Sequence, residues 1–343
     1  MAYTTIDNPE LFFNTVLYTG NGGTQSITGV GFQPDWLFIK SRGSTGNGRI
    51  HDVVRGVDKQ LYTSLTNAEY TYSPNTGVTS FDSDGFSLGS DIGQNTNTET
   101  YVAWNWLAGG TASSNSNGSI TSSVSVNTTA GFSIVSYTGT GSNATIGHGL
   151  GVAPSVIIVK PRNSSSEGFA MYHKGIASDA ETDFIRWDET NAAADNANYW
   201  NDTAPTSTVF SIGTDSATNG TTNNIAYCFA EVKGYSKFGS YTGNGGNQFI
   251  YTGFKPAFVI EKRSSNTSEW DVYDNKRNTF NSVTKVLKPN ASDAEATYSG
   301  LNFLSNGFEA LGSLNDSGQT LIYLAFAETP FVTAGTKAAG TAR

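Results

Sequence analysis

The sequence predicts an all-β chain of three tandem, homologous β-sandwich repeats, jelly-roll or lectin-like, and three observations predict it. The first is composition: charged residues are only 14% of the 343 residues, aromatics reach 12%, and there are 38 glycines. That mixture suits short strands joined by tight turns, and suits neither long helices nor acidic disorder. The second is a glycine stretch, "YTGNGG" at 18–23, that returns as "YTGTGS" at 137–142 and as "YTGNGG" at 241–246. The third is that the sequence downstream returns with it. "GFQPDWLFIKSR" at 31–42, "GVAPSVIIVKPR" at 151–162 and "GFKPAFVIEKR" at 253–263 each carry a Pro, an apolar run and a Lys six residues beyond the Pro. A period this long is the mark of a repeat architecture.

Taken in order, residues 1–11 are an N-terminal arm and 12–108 the first sandwich. It closes on "YVAWNW" at 101–106. Residues 109–130, "GGTASSNSNGSITSSVSVNTTA", are small and polar and read as a flexible linker that hinges the first repeat. The second sandwich spans 131–234, with short strands expected at "FSIVSYTG", "PSVIIVK", "FAMYH", "DFIRWD", "VFSIG" and "IAYCFAE". The third, 235–330, follows without a linker, so repeats two and three should dock closely. It closes on "LIYLAFAE" at 321–328, and 331–343 is a C-terminal tail without core residues. Pro34, Pro154 and Pro256 should each head a strand, where a missing N–H is tolerated. "SDAEATY" at 292–298 is the one helical turn expected.

The glycine stretches are hairpin turns rather than phosphate loops, because no Lys-Ser/Thr follows and the next element is a strand. "DSDG" at 82–85 lacks the later ligands of a calcium loop and reads as an Asx turn. His51, His148 and His173 are too dispersed for a zinc signature, so neither metal nor cofactor is expected. Cys228 is the only cysteine and lies in an apolar strand, where a thiol is inert and no disulfide forms. Glu231 and Glu328 recur at repeat ends without a facing partner, so no catalytic carboxylate pair is evident. The net charge of −9 argues against nucleic-acid binding. No apolar run is long enough for membrane insertion, and the N-terminus has no secretory signal.

The candidate contacts are few. Lys40, Lys160 and Lys262 recur with Arg42, Arg162 and Arg263 and offer cations to anionic sugars; solvated strand ends are the plainer reading. Trp187, Trp200 and Trp270 are candidates for stacking on sugar rings. The strands "DWLFIK" and "SVIIVK" do not alternate polar with apolar, so both faces should be covered. One face meets its own sandwich; the other meets a loop, a neighbouring repeat or a second subunit. The reading taken is a homo-oligomer, a trimer first, with an interface near Trp36, Phe38, Phe258 and Ile260.

Nearly end to end, the chain also resembles a tandem-repeat protein family of marine tailed phages. The residues that carry the resemblance are "AYTTIDNPELFFNTVLYTGNGG", "GHGLGVAPSVIIVK", "WNDTAPTSTVFSIGT", "IAYCFAEVKGYSKFGSYTGNG", "YDNKRNTF" and "AFAETPF". The resemblance implies a non-enzymatic virion component assembled in the host cytoplasm, a tail fibre or adhesin bearing lectin-like sandwiches. It brings with it other virion proteins and host-surface glycans as partners, and carries over no catalytic residue. The alternatives are a capsid decoration or head-fibre protein and, further off, a polysaccharide depolymerase.

Overall fold

In the first third of the chain the strand Phe13–Thr19 pairs antiparallel with the closing strand Thr100–Trp106. The closing strand pairs in turn with Trp36–Ser41, and that strand with Arg49–Asp52. The same order, first strand, closing strand, third, fourth, recurs as Phe132–Thr138, Asn223–Phe229, Val156–Pro161, Ala170–His173. It recurs again as Ser236–Thr242, Thr320–Pro330, Phe254–Arg263, Trp270–Asp274. Each of these sheets faces another antiparallel one, of three, two and four strands in turn. The computed structural model describes residues 3–333, and all its sheets are antiparallel apart from one isolated parallel bridge.

The recurring glycine stretch has a structural cause. Its Tyr points into the sandwich and donates to a carbonyl of the short turn before the closing strand: Tyr18 to Gln94, Tyr137 to Thr218, Tyr241 to Leu314. A buried Asn at the end of that turn then clamps the glycines. Asn95, Asn219 and Asn315 accept from the backbone N–H of Asn21, Thr140 and Asn244, at 2.9, 2.8 and 3.0 Å. Their amide groups donate to the carbonyls of Gly23, Ser142 and Gly246. The first glycine leaves no room for a side chain: a methyl on Gly20, Gly139 or Gly243 would stand 2.2 Å from a carbonyl oxygen. The next takes the left-handed backbone, with φ of 74°, 72° and 79° at Gly22, Gly141 and Gly245.

The strands that refuse to alternate are covered on both faces within one chain. Leu37 and Ile39 face the first sandwich's own interior with Ile27, Phe86 and Leu88. Trp36, Phe38, Phe258 and Ile260 face the other way, into a core shared by all three sandwiches. There Trp36 lies 5.0 Å from Tyr227 and 5.8 Å from Phe229, and Phe258 lies 5.6 Å from Trp106. Trp106, Phe229 and Phe326 hold the same place in their closing strands. Phe326 stands 5.6 Å from Trp106 and 6.0 Å from Phe229. The four residues expected at a subunit interface are therefore not there; the partners they need are the neighbouring sandwiches. With them goes the argument for a trimer from these faces.

Four further expectations are corrected. Residues 109–130 are not a free linker: Ser122–Asn127 pairs with Phe132–Thr138 and adds Ser113–Asn115 as the sheet edge. Val124 enters the core, and the carboxylate of Asp35 holds the N–H groups of Ala108 and Gly110. Small polar residues form a strand well enough when alternate valines reach the core. The first sandwich is accordingly not hinged. Pro34 and Pro154 lie just before their strands, while Pro256 sits inside Phe254–Arg263 at a bulge, the other place where a missing N–H is tolerated. The α-helical turns are Ile92–Asn95 and Ser216–Asn219, N-capped by Asp91 and Asp215, and Pro9–Leu11 and Gly312–Asn315 are 3₁₀ turns. "SDAEATY" instead leads into the strand Ala296–Leu304. Most of the C-terminal tail, from 334 on, lies outside the described residues.

Candidate functional site

The lysines and tryptophans proposed from sequence as ligand contacts are all consumed inside the molecule. Each Lys is buried and gives its ammonium to one carbonyl of the next sandwich and to carbonyls of its own. Lys40 donates to Ala291 O at 2.7 Å, Lys160 to Thr66 O at 2.9 Å and Lys262 to Thr190 O at 3.1 Å. First to third, second to first, third to second: the three bonds close a ring. Burial lowers each ammonium to about 8. Trp187 packs against Trp36 and Phe38, Trp200 against Tyr172, and Trp270 donates its indole N–H to Arg186 O at 3.0 Å. Rings with 2% exposure or less cannot stack on a sugar.

Two seams carry a buried ionic cluster that sequence reasoning missed. Arg55 lies between Asp52, at 2.5 Å, and Glu69, at 3.2 Å, while Tyr227 of the second sandwich donates to Asp52 at 2.8 Å. Arg162 then grips the same Glu69 with two bonds of 2.9 and 2.8 Å. Between the third and first sandwiches Arg277, Asp274, Glu295, Trp104 and Arg42 repeat this arrangement. The remaining seam departs from it. His173 takes the place of the Asp and bonds Tyr323 O at 3.2 Å, and burial lowers its imidazole to about 4, so it is neutral. Arg263 turns back to Asp316 and Ser313 in its own sandwich. The signal was present in sequence as "HDVVR" against "YDNKR".

The turn and strand-end acids have local partners. Asp84 of the "DSDG" turn receives the N–H groups of Gly29 and Gly31. Glu231 pairs with Lys174 and Lys237, and Glu328 with Lys255. Among the described residues no group of three or more metal-binding side chains occurs. Burial raises the Cys228 thiol, which is fully enclosed.

What is left over lies in the third sandwich. Glu261 stands directly opposite Asp271 on neighbouring strands. The equivalent pairs are Ile39 with Arg49 and Val159 with Ala170. Glu261 is 1% exposed. Its Oε2 accepts from the Tyr241 hydroxyl at 3.1 Å and its Oε1 has no partner. Burial, with the charge of Asp271 added, holds its carboxyl well above the usual range, against the hydrogen bond from Tyr241. Burial also raises Asp271, to about 6, against the opposing pull of Lys288. Both line a cleft of about 280 Å³, with Arg263, Lys288 and Tyr298 around it. Two carboxyl groups thus stand side by side, the more deeply buried one favoured to keep its proton and so able to donate.

Residues 8–330 match a family model described as "Domain of unknown function (DUF7483)". The chain belongs to that family. The match takes in the three sandwiches, all three seams and the cleft of the third. A search of the curated proteins finds no match.

Proposed function

We propose that this DUF7483 protein is a non-enzymatic structural component of a tailed-phage virion, a tail fibre or adhesin that displays its sandwiches for host-surface attachment. The observation that carries the reading is the ring closed by Lys40, Lys160 and Lys262, each bonded to the next sandwich. A chain that spends its recurring cations and aromatics on its own seams is built as a rigid body, not as a set of mobile catalytic modules. Rigidity of this kind suits a particle component exposed to shear, and the sequence resemblance to marine phage proteins points the same way. Its partners are other virion proteins and host-surface glycans, and it is assembled in the host cytoplasm.

The test is localisation on intact particles with a labelled antibody, read by electron microscopy. Label at the tail is the expected result. Label spread over the head would replace the adhesin with a capsid decoration protein, and unlabelled particles would end the virion reading. Incubation with host polysaccharide should release no reducing ends; their release would reinstate a depolymerase.

A further inference from the structure

We propose that the open end of the third sandwich is a glycan site that takes one uncharged sugar ring, with a ring hydroxyl bridging Glu261 and Asp271. This rests on the attachment reading and adds the place and the chemical class of the ligand. Three observations carry it. The position held by Glu261 is filled in the other sandwiches by Ile39 and Val159, which are core residues. A carboxyl placed there without need is unfavourable, because buried polar groups are costly unless hydrogen-bonded. Its Oε1 is nevertheless buried and unpartnered, and Glu261 is one of the residues that line the cleft. Asp271, directly opposite, supplies an acceptor beside that donor. A sugar hydroxyl both donates and accepts, so one hydroxyl satisfies the two.

The charges select against an ionic ligand. Arg263 is already bound to Asp316, Lys288 to Asp293, and Lys262 to the seam. No cation is left to neutralise a sialic or uronic acid, and Glu269 and Asp271 would repel one. Tyr298, half exposed, gives an aromatic face at the same cleft. A volume of about 280 Å³ lies at the small end of ligand pockets and fits a single ring, a chain terminus rather than a run of residues.

The experiment is saturation-transfer-difference NMR on the full chain with the methyl glycosides of glucose, galactose, mannose and N-acetylglucosamine, and with N-acetylneuraminic acid as the anionic probe. At least one neutral glycoside should give a signal and the acid none. Glu261→Val, which installs the residue of the second sandwich, and Asp271→Ala should weaken the binding about tenfold, the worth of one hydrogen bond. Glu261→Gln keeps a donor and should retain most of it. The proposal is overturned if no neutral glycoside binds, if only the acid binds, or if Glu261→Val binds as well as the parent. Folding of each variant is checked by circular dichroism. A lost signal here would remove the cleft while leaving particle labelling untouched, so the two readings fail separately.

Discussion

Replacing Asp274 by Ala should destabilise the protein by about 4 kcal/mol, and the figure can be built from the seam it belongs to. Asp274 is fully buried. Its Oδ2 lies 2.5 Å from Arg277 Nε and 3.0 Å from Trp104 Nε1, and its Oδ1 caps the N–H groups of Lys276 and Arg277. Removing one partner of a buried ion pair costs about 3–5 kcal/mol, because the other charge is left without compensation. Here Arg277 keeps Glu295 at 3.4 Å and Val272 O at 2.7 Å, which places the cost at the low end, about 3 kcal/mol. The orphaned indole N–H of Trp104 adds about 1 kcal/mol.

Urea unfolding followed by tryptophan fluorescence measures the loss. Asp52→Ala, in the equivalent seam, should lose a similar amount, since Arg55 retains Glu69 as Arg277 retains Glu295. His173→Ala should lose about half as much, because it strands no charge. Removing both charges, in Asp274→Ala with Arg277→Met, should recover much of the loss. If Asp274→Ala cost under about 1 kcal/mol, or if the double variant were worse than the single, the seam would not be the ionic cluster described.

Four other outcomes follow from the same geometry. His173 is held near 4 by burial, with Lys174 pushing it further down and Glu231 opposing. The unfolded chain therefore takes the proton first as pH falls, and this contribution, present above about 6.5, is lost toward 4. His173→Gln should flatten the fall of stability across that window by roughly 1 kcal/mol per pH unit relative to the parent, measured by urea titrations at several pH values. Asn219→Ala removes bonds to Thr140, Ser142 and Gly213 and should cost about 3 kcal/mol in the same assay. Gly139→Ala, which drives a methyl into Gly220 O, should be at least as harmful. Light scattering should find the mass of one chain, 36.4 kDa, because the apolar faces that called for subunits already cover one another. A threefold mass would show a further interface on another surface.

The fold was legible in sequence because its determinants recur. Tyr-Thr-Gly, the Pro before an apolar run, and the Lys six residues on each mark a place that the sandwich constrains. The non-alternation of Trp36 to Ile39 correctly required cover on both faces. What it could not give was the identity of the cover. A neighbouring repeat and a second subunit bury a strand face equally well, and pattern alone does not tell them apart. Residues 109–130 misled for a related reason: a strand needs only alternate apolar residues, and Val124 and Val126 among serines resemble a spacer by composition. Lys40 and Trp187 were misassigned because a charge or an indole at a strand end reads as exposed until the partner across the seam is known. The ionic seams were visible only as "HDVVR" and "YDNKR", whose likeness has meaning once Asp52 and Asp274 are seen at equivalent seams.

The cleft inverts that logic, since it lies where recurrence stops. In a chain of repeats, a residue that the fold requires tends to appear in every copy, so a costly departure in one copy calls for another explanation. Glu261 is such a departure. An unsatisfied buried polar group costs about 1–3 kcal/mol, and the two sister sandwiches show that an aliphatic side chain fits the place. Glu261→Val should therefore stabilise the protein by roughly that amount while it weakens glycoside binding, the trade expected where a site is kept at the expense of stability. The Tyr241 hydroxyl loses nothing essential, because it still donates to Leu314 O at 2.7 Å. If Glu261→Val instead destabilised the protein by 1 kcal/mol or so, Glu261 would be a structural acid satisfied within the sandwich, and the case for a ligand there would fall.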